Sequence, residues 1–378
     1  MSNPSKPAVQ DGRQPLAAAS KLARLAAIGA AVAAVVAAFL YLGGWFTPGD
    51  LTPARFVDAF EQVDGIHSVF RRNHAKGVCV SGFFESNGQG VDLSRALVFS
   101  AGRVPVIGRF SLGGGHFDQT DAPGQVRGLG LQFSLADGEV WRTAMVNLPV
   151  FIVKTPEAFY ERLLASRPDP KTGKPDPAGM EAFLAHHPET AAAVKIIKSE
   201  PPSSGFANST FHGLNAFRFI NAAGVSTPVR WLFVPDQQAE SADNTAPADH
   251  AAPADKNYLF DALIAQMHRG PLAWHLTLVV GEPGDPTADA TLPWPEERRQ
   301  VDVGTLTLDQ VESDDTSPAR GLNFDPLVLP DGIEPSDDPL LSARSAVYSQ
   351  DFTRRAGEPM QPAVVTPAEA SRGERKEE

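Results

Sequence analysis

The stretch Arg71–Glu85, RRNHAKGVCVSGFFE, decides how the rest of the chain reads. Four polar residues, Arg71, Arg72, Asn73 and His74, run directly into an apolar segment, so a strand is expected over 76–85 with charged and imidazole groups at its mouth. The same arrangement recurs downstream. Arg109 interrupts VIGRFSLGGG (106–115), a charge inside a strand pattern, and Arg127-Gly128 opens the next strand. Asn147 follows a fourth strand, at the head of NLPVF. Further strand-like runs are 104–111, 127–135, 148–153, 213–221, 227–234, 272–281 and 302–309, several of them alternating apolar and polar residues. Helices are expected where Thr-Pro pairs supply an N-cap and a first-turn proline, from Pro53 to about Val63 and over the EAFYERLLA run after Pro156. Others are expected over Gly179–Ala185, from Pro188 to Lys198, and over Tyr258–Arg269 ahead of Gly270. Strands that dominate, with helices grouped between them, point to an α+β fold rather than alternating βαβ units.

Outside this region the chain carries two kinds of atypical segment. Residues 25–46, LAAIGAAVAAVVAAFLYLGGWF, are uncharged and long enough to span a bilayer. Lys6, Arg13, Lys21 and Arg24 precede them, which by the positive-inside rule puts 1–24 in the cytoplasm and the remainder of the chain on the periplasmic or other extracytoplasmic side of a single-pass anchor. A cleaved secretory segment is the rival reading; the length of the run and the lack of a small-x-small site after it speak against that. Residues 236–256 and 356–378 are polar, with few large apolar side chains, and are expected to be a disordered loop and a disordered tail around a domain at 47–355.

Composition limits the chemistry. The 378 residues are 42% hydrophobic and 21% charged, enough for a sizeable core, and the net charge of −12 argues against nucleic acid as a partner. One cysteine, Cys79, excludes an internal disulfide and any multi-cysteine cluster; in an apolar strand it reads as a small buried hydrophobe facing the core. Gly113-Gly114-Gly115 lacks the following helix and the acidic residue that dinucleotide binding needs and reads as a turn, and His186-His187 as a solvated pair at a helix end. Arg344 and Tyr348 stand four apart in LLSARSAVYSQ, on one helix face. Each of these residues, taken singly, has an ordinary structural explanation.

Together they resemble the catalase family, in particular its shorter catalase-related haem peroxidases. The resemblance spans roughly Phe56 to Arg355 and rests on six segments in the family's order: RRNHAKGVCVSGFFE, VIGRFSLGGG, VRGLGLQF (126–133), NLPVFIVKTPEAF (147–159), FHGLNAFRFINAAG (211–224) and NFDPLVLPDGIEPSDDPLLSARSAVY (323–348). It implies a closed antiparallel β-barrel of about eight strands with surrounding helices. It also implies haem b as cofactor, with Tyr348 as the iron ligand and Arg344 the cation that keeps its phenolate ionised, a free phenol having a pKa of about 10. His74 matches the distal acid–base and Ser111 the serine that orients it. Arg71, Arg109 and Arg355 match the propionate-binding arginines, Phe159 a phenylalanine at the haem edge, and Val78 and Phe133 are expected as apolar walls.

Two departures bear on function. The family's distal asparagine precedes an Asn-Thr-Pro triplet; an ungapped reading puts Val146 there, and only a one-residue shift brings Asn147 into the pocket as a catalytic residue. The stretch after Tyr348 also departs from the family pattern, and the chain continues for only thirty residues beyond Tyr348, which implies a monomer or dimer with an open pocket. The expectation is therefore a peroxidase that reduces hydrogen peroxide or organic hydroperoxides with a small organic electron donor. True catalase activity, rearrangement of a fatty-acid hydroperoxide, and a non-enzymatic haem-binding module are the alternatives.

Overall fold

In the computed structural model, alternation of large apolar with small or polar residues turns the strands of this chain into a closed barrel. Residues 18–42, 51–201, 203–237 and 255–367 are described. Contacts divide the chain into two units, Met1–Thr52 and Pro53–Glu378.

In the first unit one helix, α1 (Ala18–Leu42), is long and apolar enough to cross a membrane. It takes Lys21 and Arg24 into its first turns and stops at Leu42, so its bounds lie to the N-terminal side of the expected 25–46 span, and residues 43–46 fall outside the described residues.

The second unit opens with α2 (Pro53–Asp64), followed by strands β1 (Gly77–Ser86), β2 (Gly102–Leu112), β3 (Arg127–Ser134) and β4 (Val140–Val146). Three helices come next, α3 (Pro156–Ala165), α4 (Pro177–His186) and α5 (Pro188–Ser199). Strands β5 (Phe211–His212), β6 (Phe217–Ile220) and β7 (Ser226–Pro235), helix α6 (Tyr258–Arg269) and strands β8 (Leu272–Val280), β9 (Gln300–Glu312) and β10 (Ile333–Pro335) precede the last helix, α7 (Pro339–Ala356). The neighbours run β5-β4-β3-β2-β1-β9-β8, and β7 pairs with both β5 and β8, closing a ring of eight antiparallel strands; β6 and β10 extend it from β7. Closure leaves no unpaired edge around the ring.

The interior is filled by alternate residues. Val78 and Val80 from β1, Phe110 and Leu112 from β2, Leu129, Leu131 and Phe133 from β3 and Trp141 from β4 are all fully buried in one cluster. The Phe110 ring sits 5.4 Å from Phe206, 5.7 Å from Phe211 and 5.8 Å from Trp274. On β8 the alternation is complete, with Leu272, Trp274, Leu276 and Leu278 inside. On β1 it is not: Gly77 through Val80 are all buried, because the outer face of β1 and β2 is covered as well. At Gly82, where the β1–β9 register shifts, a Cβ would stand 2.0 Å from the Thr307 carbonyl oxygen, so only glycine lets the strands approach there.

Several expectations are corrected. Residues 148–153 form no strand; the strand is Val140–Val146, and Pro149 belongs to the irregular link to α3. Of the run 213–221 only β6, Phe217–Ile220, is strand; β5 lies ahead of it, and Leu214 between the two adopts φ +65. The tail expected to be disordered from 356 is built onto the domain as far as 367: Val365 is buried in the core, Glu358 pairs with Arg72, and the Ala363 amide donates to Asp315 at 2.7 Å. Composition does not reveal such partners, since each lies dozens of residues or more away in the chain. Residues 368–378, and 238–254 of the expected loop, lie outside the described residues. His187, expected to be solvated, is held between Glu161 and Glu189.

Candidate active site

The outer face of β1–β4 carries the polar residues that interrupt the strand patterns. His74 precedes β1 in a left-handed conformation, φ +60, which an L-residue adopts only when its surroundings impose it. Those surroundings are specific. Asn73 Oδ1 accepts from the His74 amide at 3.0 Å and from the Gly114 amide at 2.8 Å, while Ala75 N–H donates to Gly114 O. The triple-glycine turn is thus the clamp that holds the His74 loop, and Gly115 N–H ties it to Asp64 at the end of α2. Arg109 donates from Nη1 to His74 O and from Nη2 to Ala75 O, both at 2.8 Å.

The His74 ring lies over β2 and β3. Its Nδ1 is 3.1 Å from Ser111 Oγ. Beneath it is Gly128, the strand partner of Ser111; a Cβ there would stand 2.9 Å from both His74 Nδ1 and Ser111 Oγ. Burial, reinforced by the positive charges of Arg109, Arg71 and Arg344, pushes the imidazole pKa down to about 4. The ring is therefore neutral at physiological pH. In the tautomer with Nδ1–H donating to Ser111, Nε2 presents a free lone pair.

Beside His74, Arg71, Arg109 and Arg355 line one cavity together with Val69, Ala75 and Asp314. Arg109 forms a buried ion pair with Asp314, Nη2 to Oδ2 at 2.7 Å and Nε to Oδ1 at 2.9 Å. Burial opposes both charges, yet each partner keeps the other ionised: Arg109 is held above its ordinary value and Asp314 below. Arg71 has no carboxylate within ion-pair distance among the described residues; it donates to Leu322 O at 3.0 Å. Burial, then Arg109 and Arg355, lower its pKa to about 9. Arg355 gives Nε to Asp351 at 3.0 Å. Four guanidinium groups, Arg320 included, line this cavity; Asp314, Asp351 and Asp315 pair with Arg109, Arg355 and Arg320, which leaves the Arg71 charge suited to an anion.

Helix α7 faces β4. Asp338 caps its N-terminus and Pro339 occupies the first turn. The second oxygen of Asp338 accepts from Asn215 Nδ2 at 2.7 Å, Asn215 Oδ1 accepts from Arg344 Nη1, and Arg344 Nη2 donates to Ala144 O at 3.0 Å. This chain fixes the Arg344 guanidinium against β4. Tyr348 follows one turn later, half-buried, and its hydroxyl makes no hydrogen bond among the described residues.

The strand register settles which neighbour of the 146–147 pair faces His74. Ser111 pairs with Gly128 and Gly128 with Val146, and directly paired residues share a face. Val146 therefore stands on the row beneath His74. Asn147 is spent elsewhere: its Oδ1 accepts from the Arg127 amide at 2.7 Å, and its amide donates to Arg127 O. The expected catalytic role of Asn147 is corrected accordingly. Val78 and Phe133, expected as cofactor walls, fill the barrel interior. Cys79 goes the opposite way. It lies on the outer face against Ala319 and Phe324 and donates to Asp314 Oδ1 at 3.0 Å; burial and the Asp314 charge push its thiol up to about 12, so it is a protonated structural group. Phe159 packs among Phe56, Phe60 and Phe151, with centroids 5.7 to 6.4 Å away. Asp314, Asn215 and Asp338 were not anticipated; each is an ordinary loop or cap residue in the sequence, and only its partner shows its place.

Comparison with known proteins gives concordant results. The family model described as Catalase matches residues 51–372. A catalase-related peroxidase of Synechococcus elongatus is 41% identical over 325 residues, covering 86% of this chain and 95% of its own length. A catalase-related peroxidase of Mycolicibacterium paratuberculosis is 33% identical over 311 residues, 82% of this chain and 96% of its own length. Among solved structures, a fungal catalase superposes with a TM-score of 0.69 at 21% identity, over 80% of this chain and 63% of its own, and catalase A of Saccharomyces cerevisiae with 0.69 at 21%, over 77% and 62%.

Proposed function

This chain belongs to the catalase family, as an oxidoreductase of the peroxidase type, and from that premise we propose that it is a haem-dependent peroxidase that reduces hydrogen peroxide or organic hydroperoxides at the expense of a small organic electron donor. The observation that carries this reading is the pairing of a neutral, Ser111-oriented His74 on one side of the site with α7 on the other, bearing Arg344 and a Tyr348 phenol that has no partner among the described residues.

The residues fit a haem. Gly128 lets the His74 ring pack directly against the strand, the Tyr348 oxygen is without a protein partner among the described residues, and Arg71, Arg109 and Arg355 line one cavity, where they would take the propionates. Tyr348 would hold the iron of haem b, one helical turn after Arg344 on α7. When bound, the haem supplies the redox centre at which the peroxide O–O bond is cleaved. The protein's part is proton transfer and orientation. His74 Nε2 takes the proton from one peroxide oxygen and delivers it to the other, so that the leaving group departs as water or an alcohol rather than as an anion. Ser111 holds the ring in that tautomer. Over a full turnover the donor would supply two electrons and two protons, so that the peroxide is reduced to two waters, or to water and an alcohol.

Val146 supports the choice of peroxidase over catalase. Dismutation requires a second peroxide to be held beside His74, and a valine methyl offers no hydrogen bond at the position under that ring. We further assign α1 as a membrane anchor, with the basic residues Lys21 and Arg24 at its cytoplasmic end and the peroxidase domain extracytoplasmic.

The absorption spectrum of the purified protein tests the assignment. A high-spin ferric spectrum of tyrosinate type, lost in Tyr348→Phe, is expected. Haem bound with an unchanged spectrum in that variant would overturn Tyr348 as ligand, and protein that takes up no haem would overturn the reading altogether.

A further inference from the structure

His212 is a titratable residue that the mechanism above does not use. It is one of the two residues of β5, and its neighbour Phe211 points into the barrel core, so His212 points to the outer face. Its strand partner is Val146. The outer row therefore runs Ser111, Gly128, Val146, His212, with the His74 ring seated on its first two members. Two strand spacings separate His212 from Gly128, about 10 Å. That is too far for both imidazoles to hold one O–O unit, and about the span of a small aromatic molecule.

The His212 ring makes no hydrogen bond, ion pair or ring contact among the described residues. Burial alone pushes its pKa down to about 4, with no charged group contributing, so it is neutral and its two nitrogens have one donor and one acceptor unspent. Neither ring nitrogen is sealed from solvent, so both are open to a small molecule. Between the two histidines, Val146 supplies an apolar floor, which favours the body of an organic molecule over water.

We propose that His212 is a substrate-positioning residue that accepts the hydroxyl of an uncharged hydroxy-aromatic electron donor lying across Val146, with the donor's ring directed toward the His74 end of the row. This rests on the peroxidase reading and extends it to the class of donor. A phenol is suited to the arrangement, because it carries both the hydrogen for His212 and the flat apolar surface for Val146, and because it can surrender one electron and one proton per molecule.

The test compares wild type, His212→Phe and His212→Gln as holoenzymes, with hydrogen peroxide and the phenolic donor guaiacol. The KM for guaiacol is expected to rise about tenfold in His212→Phe with kcat held within threefold, and to return to within about threefold of wild type in His212→Gln, which restores a hydrogen-bonding group. A second readout needs no turnover: on titration of the protein with phenol, the imidazole 15N resonances of His212 should shift saturably and those of His187, remote from the row, should not. An unchanged guaiacol KM in His212→Phe, or an unresponsive His212 resonance, overturns the assignment. A wild-type protein that binds phenol at His212 but oxidises no donor overturns the peroxidase reading while leaving the binding site intact, so the two failures are distinguishable.

Discussion

The two faces of strands β1 to β4 are built under different rules. The inner face presents Val78, Val80, Phe110, Leu112, Leu129, Leu131 and Phe133, all buried and apolar, and asks of these residues only volume and shape; Thr143, which accepts from Trp231, and Arg127, which donates to Ser203, are its polar exceptions. The outer face of the same strands presents Cys79, Arg109, Ser111, Gly128 and Val146, where a particular atom or a particular gap matters. One hydroxyl orients His74, one missing Cβ admits its ring, and one guanidinium holds the backbone of 74 and 75 while pairing with Asp314. The difference separates stability from chemistry on a single sheet: the interior holds the barrel closed, and the exterior spends that rigidity on placing side chains.

Substitutions on the two faces should therefore fail in different ways. The largest loss of turnover is expected at His74→Gln, on the order of a hundred- to ten-thousand-fold in kcat, with Tm and haem content little changed; turnover within a few-fold of wild type, measured with hydrogen peroxide and a dye donor, would sink the acid–base role. The same residue sets the pH profile. Its pKa of about 4 means that Nε2 is free to accept a proton throughout the neutral range, so kcat/KM should be flat from about pH 5.5 to 8 and fall as the pH drops through 4. Stability should follow the same sign. The unfolded chain takes up a proton on this histidine near pH 6.5 while the folded chain resists until about 4, so folding stability is present above 6.5 and lost as pH falls through that window.

A smaller loss is expected at Gly128→Ala, also on the outer face. Its methyl would sit 2.9 Å from His74 Nδ1 and Ser111 Oγ, so the ring must move, and about ten- to hundredfold of turnover should go with it while denaturant stability changes by less than about 1 kcal/mol. If stability fell sharply and turnover per folded molecule did not, the contrast between faces would be wrong at its most exposed point. The smallest effect on chemistry is expected inside. Phe110→Ala removes a ring packed between Phe206, Phe211 and Trp274 and should lower unfolding free energy by about 3–5 kcal/mol, with kcat per folded molecule within twofold of wild type. Urea titration and active-site-normalised kinetics check both halves of that statement.

Local rules carried the parts of the site that lie close together in the chain. Thr155 caps α3 through its hydroxyl, with Pro156 in the first turn, and α6 ends at Gly270, as their residues require. Arg344 and Tyr348 fall on one face of α7 because helical residues four apart must. The polar residues at 71–74, 109–111 and 344–348 stand out because charge inside an apolar run is anomalous, and they meet at the candidate site. By contrast, Asp314 does not stand out. An aspartate in a polar loop is unremarkable until Arg109, 205 residues earlier, is found bonded to it. Asn215, bridging Asp338 and Arg344, is the same case.

From the sequence alone, a strand-rich α+β chain resembling the catalase family was legible, with polar residues interrupting its strands and a helix bearing Arg344 and Tyr348, because those features are local in the chain. Three matters waited for the tertiary structure: that Val146 rather than Asn147 lies beneath His74, that Cys79 turns outward to Asp314 rather than into the barrel, and that His212 joins the row beyond Val146. The physical reason is common to all three. Side chains on a strand alternate with a period of two, so a shift of one residue in register or in strand end exchanges the faces, and register is a property of two strands that neither one's sequence contains.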